Sequence, residues 1–82
     1  MARTPVWTRG ERMAKARRDV GLSQEQMAAR MGVSAKTVAA WETDRNQPRD
    51  FEDRLKLWAE ITDVTVIFLL GLAESGKIRR AA

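Results

Sequence analysis

Apolar positions along this chain recur at spacings of three and four, with no strand-like alternation. From about Thr8, the residues Met13, Ala16 and Val20 fall on one helical face, while Arg12, Lys15, Arg18 and Asp19 take the wet positions. Gly21 ends this first helix. Ser23-Gln24-Glu25-Gln26 reads as a capping box, with Ser23 as N-cap, Gln26 three residues on, and Leu22 placed to staple onto Met27. Met27, Ala28 and Met31 form the buried stripe of this second helix, Gly32 stops it, and Val33 turns inward. Ser34 is a further N-cap residue, opening a third helix from about Ala35 to Thr43 with Val38 and Trp41 facing in. A polar loop runs from Asp44 to Arg49. Asp50 is placed to cap a fourth helix, on which Phe51, Leu55, Trp58 and Ile61 share a face. A short fifth helix covers about Val66 to Leu70 and closes at Gly71. The pattern predicts an all-α fold of five helices.

Length and composition narrow the chemistry. The 82 residues predict one domain over 1–82, with an N-terminal arm at 1–8 and a basic tail at 74–82. Cysteine and histidine are absent, which removes disulfides, thiolate metal sites, the commonest zinc ligand and the commonest general base. With no acidic cluster of metal-ligand spacing either, an enzyme is not expected, and neither is a cofactor or a metal. No secretory signal is read at the start. The longest apolar stretch, Val64 to Ala73, is too short to span a bilayer, so no membrane partner is expected and the chain reads as soluble and cytoplasmic.

Charge adds a direction. The net charge is +4, but residues 1–49 carry ten Lys or Arg against five Asp or Glu, whereas residues 50–82 carry five against six. The first part reads either as a face for phosphate or as an ordinary solvated surface. Arg3 and Arg9 are either a minor-groove arm or a loose basic end, and Trp7 is either a packing residue on the fourth helix or an exposed contact.

The second and third helices lie within about twenty residues, from Gln24 to Thr43, separated by Gly32-Val33-Ser34. So short a turn forces a steep crossing, and Ala28 is small enough for the point of contact. Beyond its anchoring residues, the third helix offers Ala35, Lys36, Thr37, Ala39 and Ala40. This smooth surface, with one cation, can approach a base edge closely.

Together these residues resemble the lambda-repressor-like, Cro-type (XRE) helix-turn-helix family. The match is carried by Arg17, Gly21-Leu22-Ser23-Gln24, Met27-Ala28, Met31-Gly32-Val33-Ser34, Val38, Trp41-Glu42, Pro48 and Phe68-Leu69-Leu70-Gly71. The size is similar to that of short phage Cro proteins and immunity repressors. The resemblance implies a sequence-specific regulator of transcription that binds double-stranded DNA, most simply a repressor. It implies a phosphate contact for Gln24, groove-facing positions for Ser34, Ala35, Lys36, Thr37 and Ala40, and a backbone grip for Arg45, Asn46 and Arg49. It also implies a structural salt bridge between Arg17 and Glu42. Val66, Ile67, Phe68 and Leu70 are the expected surface of a homodimer, formed free or only on DNA. No small-molecule effector is expected. An antitoxin-like regulator that uses the same fold to hold a protein is the alternative.

Two departures from the family pattern stand out. Asp44 replaces the usual glycine just past the third helix and is expected to tolerate the left-handed conformation while turning its charge away from phosphate. The connection at Thr62-Asp63 is one residue longer than usual. The reading positions are poor in Gln, Asn and Arg, so base readout is expected to rest on Lys36 and on alanine methyls, with DNA shape supplying much of the rest.

Overall fold

The computed structural model describes residues 7–47 and 49–71. Residues 1–6 of the expected arm, Pro48, and the expected basic tail at 74–82 lie outside the described residues. Five helices follow in order among the described residues: α1 (Arg9–Asp19), α2 (Gln24–Met31), α3 (Ala35–Glu42), α4 (Phe51–Thr62) and α5 (Val66–Leu69).

Each helix start has a local cause, with one exception. Ser23 accepts from the Gln26 amide while the Gln26 side chain accepts from the Ser23 amide, so the expected capping box is present. A second capping box, Thr8 with Glu11, opens α1. Ser34 caps α3 through the Thr37 amide, and Thr65 caps α5 through the Phe68 amide. Asp50 is the exception: it precedes α4 but its side chain makes no capping bond. Its backbone, at φ −96° and ψ 63°, lies outside the extended conformation that the other four N-caps share.

The core is built where α1 to α5 converge. Met13, Ala16, Met27, Ala28, Met31, Val38, Trp41, Leu55, Trp58 and Leu69 are buried together, with Leu22 and Val33 packed against them from the turns. Trp41 and Trp58 meet edge to face at 6.4 Å between ring centroids. The Trp58 indole N–H donates to the Met13 carbonyl at 3.1 Å, which satisfies its polar atom inside the core. Both tryptophans are therefore scaffold.

Three expectations about faces change. Val20 is exposed, because the helical part of α1 stops at Asp19 and Gly21 then reverses the chain. On α4 the fully inward residues are Leu55, Trp58, Ala59 and Thr62; Phe51 and Ile61 sit half-buried at the margin. Thr62 is admitted because its hydroxyl donates to the Trp58 carbonyl at 2.7 Å. Arg12, expected in water, is half-buried with its guanidinium over the Phe68 ring at 5.4 Å, and Arg9 lies likewise over Phe51 at 4.8 Å. At the longer connection, Asp63 takes φ 58° and closes α4, after which Val64 turns into the core.

Candidate nucleic-acid interface

The turn between α2 and α3 is made by three residues. Gly32 takes φ 73°, which lets its amide close onto the Ala28 carbonyl, and the Val33 amide joins the same acceptor at 3.0 Å. Val33 then packs on the core, and Ser34 starts α3 at once. Val38 and Trp41 anchor α3 from below. Glu42 is buried as well, so the outward face of α3 is carried by Lys36, Thr37 and Ala40 with Ser34 before them.

Within that outward face the expected site residues differ in how free they are. Lys36 and Ser34 are exposed; Thr37 and Ala40 are half-buried. The Ser34 and Thr37 hydroxyls lie 2.9 Å apart and hydrogen-bond to each other, so the two act as one polar unit at the start of α3. Ala35 is half-buried and packs against the core, leaving only part of it open to a groove. Arg45, Asn46 and Arg49 are all exposed after α3. An open groove runs from Thr37 and Trp41 past Asn46 and Gln47 to Arg49 and Arg54.

Gln24, at the start of α2, is held more firmly than its sequence position suggests. Its Nε2 donates to Glu42 Oε1 at 3.0 Å. Because a carboxylate only accepts, this bond also fixes which end of the amide faces Glu42. Glu42 is in turn gripped by Arg17, from Nε at 2.6 Å and from Nη2 at 3.1 Å, while Arg17 Nη1 donates to the Leu22 carbonyl at 2.8 Å. The expected salt bridge between α1 and α3 is therefore present. It is buried, and it also holds the turn between α1 and α2.

Several contributors escaped the sequence reading. Arg54 Nη1 donates to the Met31 carbonyl at 2.8 Å, fastening α4 to the end of α2 beside the open groove. Gly10 lies against the end of α3: a Cβ there would stand 2.5 Å from the Glu42 carbonyl oxygen and 2.6 Å from that of Trp41. Asp44 takes the left-handed conformation as expected, at φ 60°. Its carboxylate turns to α1, where Oδ2 accepts from the Thr8 hydroxyl at 2.5 Å and Oδ1 from the Gly10 amide at 3.0 Å. The capping motif of Thr8 and Glu11 was legible as a Thr-x-x-Glu string; the long-range bonds carry no local signal. Trp7 is exposed, with the Lys15 ammonium of α1 at 5.9 Å over its ring.

On α5 the expected surface divides. Leu69 is fully buried, while Val66 and Phe68 pack half-buried against the core. Ile67 and Leu70 remain outside, 54% and 43% exposed. Among the described residues, no group of His, Cys, Asp and Glu is arranged to hold a metal ion, and no helix is long and apolar enough to cross a membrane.

A sequence model of the family described as helix-turn-helix matches residues 13–69. Among solved structures, the chain is similar to the P22 c2 repressor protein in complex with a synthetic operator. The two are 21% identical with a TM-score of 0.70, over 85% of this chain and 100% of that one. It is also similar to SinR, the master regulator for biofilm formation, in complex with DNA, at 24% identity and a TM-score of 0.64 over 74% of this chain and 98% of that one. No curated protein matches the chain. At these identities the structural likeness concerns the fold.

Proposed function

The chain belongs to the lambda-repressor-like, XRE-type helix-turn-helix family of DNA-binding transcription regulators, and from that premise we propose that it is a phage- or prophage-type repressor. It occupies a double-stranded DNA operator by laying α3 in the major groove. The carrying observation is that α3 is anchored on one side by Val38 and Trp41 and open on the other, where Ser34, Lys36, Thr37 and Ala40 lie. Exposed Arg45, Asn46 and Arg49 follow directly and suit the flanking phosphates, as Gln24 does at the start of α2. Lys36 is the one cation on α3 and reads guanine, while alanine methyls meet thymine methyls. Binding of this kind releases counterions and weakens steeply with salt.

Exposed Ile67 and Leu70 support a homodimer, formed free or on DNA, with half-sites about 34 Å apart. The chain acts in the cytoplasm on the nucleoid, without a small-molecule effector. Selection of bound sites from a random duplex library tests the reading. An inverted repeat supports a dimer, a single motif supports a monomer, and no enrichment at any salt concentration overturns sequence-specific binding. The same exposed pair favours one other reading, an antitoxin-like regulator whose α5 holds a protein. Co-purification of a stoichiometric protein from the native host, without operator enrichment, would select it.

A further inference from the structure

We propose that Asp44 is a positioning residue for the DNA-binding loop, locking the end of α3 to the start of α1 and thereby setting the direction in which Arg45 and Asn46 face. This inference rests on the DNA-binding reading above.

The end of α3 is closed by a complete left-handed cap. The Asp44 amide donates to the Trp41 carbonyl at 3.2 Å and the Arg45 amide to the Ala40 carbonyl at 2.9 Å, with Asp44 itself at φ 60°. Glycine suits such a position best, because any Cβ meets the neighbouring carbonyl there. The aspartate is nevertheless fully used. Of the leading amides of α1, that of Glu11 is capped by Thr8, and that of Gly10 by Asp44 Oδ1. The second oxygen, Oδ2, accepts a hydrogen bond from the Thr8 hydroxyl, so one carboxylate bridges the N-cap residue and the first turn of α1. Its negative charge sits at the positive end of the α1 dipole.

Gly10 completes the lock. Lacking a Cβ, it allows the first turn of α1 to press against the Trp41 and Glu42 carbonyls, three and two residues before the aspartate that caps it. Arg45 and Asn46 follow Asp44 directly, and both of their amides are tied to the Ala40 carbonyl. The orientation of this loop is therefore defined relative to two helices.

The sign of the effect separates this role from simple electrostatics. Removing a carboxylate near DNA strengthens binding if charge alone matters. Losing the lock weakens it. Asp44→Gly keeps the left-handed turn while removing both hydrogen bonds. Asp44→Asn removes the charge but keeps an oxygen for the Gly10 amide.

The probe is the duplex recovered by the wild-type chain from a random library, with amide hydrogen exchange and amide chemical shifts recorded on the free protein. The expected result for Asp44→Gly is faster exchange at Gly10, shifted Arg45 and Asn46 amides, and affinity weaker by about three- to tenfold. Asp44→Asn is expected to keep the loop shifts and to bind as tightly as wild type or more so. Equal or tighter binding by Asp44→Gly overturns the proposal, as does a lowered melting temperature with loop shifts and affinity unchanged. If the wild type recovers no duplex, the DNA-binding reading falls; the exchange and shift data on the free protein still decide whether Asp44 fixes the loop.

Discussion

Arg17 on α1 and Glu42 at the end of α3 meet through two parallel hydrogen bonds inside the domain, where Arg17 is 8% and Glu42 6% exposed. The third nitrogen of the guanidinium closes the α1–α2 turn, and the carboxylate also receives Gln24. Removing one partner leaves an uncompensated buried charge, and Arg17→Ala is expected to cost about 3–5 kcal/mol. For a domain of this size each kcal/mol lowers the melting temperature by about 4–8 °C. Thermal unfolding followed by circular dichroism measures the effect. The double replacement Arg17→Met with Glu42→Leu is expected to be less damaging than Arg17→Met alone, because both charges leave together.

Gly10→Ala distinguishes helix propensity from packing. Within a helix, alanine is intrinsically favoured over glycine by about 1 kcal/mol. Here the added methyl meets two backbone carbonyl oxygens that cannot swing aside. The expected outcome is a lower melting temperature. A rise would mean that α1 does not press on α3 as the structure has it.

Lys36→Ala probes the reading face. Lys36 is exposed, and the neighbouring outward positions are small. The expected outcome is a loss of about five- to a hundredfold on the selected site and a smaller loss on random duplex. Equal losses on both, measured by fluorescence anisotropy at matched salt, would assign Lys36 to a phosphate instead.

Ile67→Asp tests self-association better than a change at Phe68. Phe68 packs on the core and carries the Arg12 guanidinium over its ring, so its replacement would disturb folding as well. Ile67 is mostly outside. Sedimentation is expected to convert a dimer to a monomer with an unchanged melting temperature. A wild-type monomer both free and on DNA removes the dimer.

The helix-turn-helix was legible because its signals are local. Ser23 with Gln26, Gly32, and Ser34 each act within four residues, and the stripe of Met27, Ala28, Met31, Val38 and Trp41 follows helical period. The Arg17–Glu42 pair was reached only through the family resemblance. The margins were less legible. Whether Val20, Phe51 and Ile61 are inside depends on where a helix stops and on which neighbour covers its edge, and period alone does not say.

Asp44 marks the boundary most clearly. The sequence determined that an aspartate follows the third helix in place of glycine and that the chain must reverse there. Only the tertiary structure decided where its carboxylate goes, because its partners, Thr8 and Gly10, lie 36 and 34 residues away. Local sequence governs backbone conformation through short-range sterics and capping. A hydrogen bond across the fold exists only once packing has brought its two ends together.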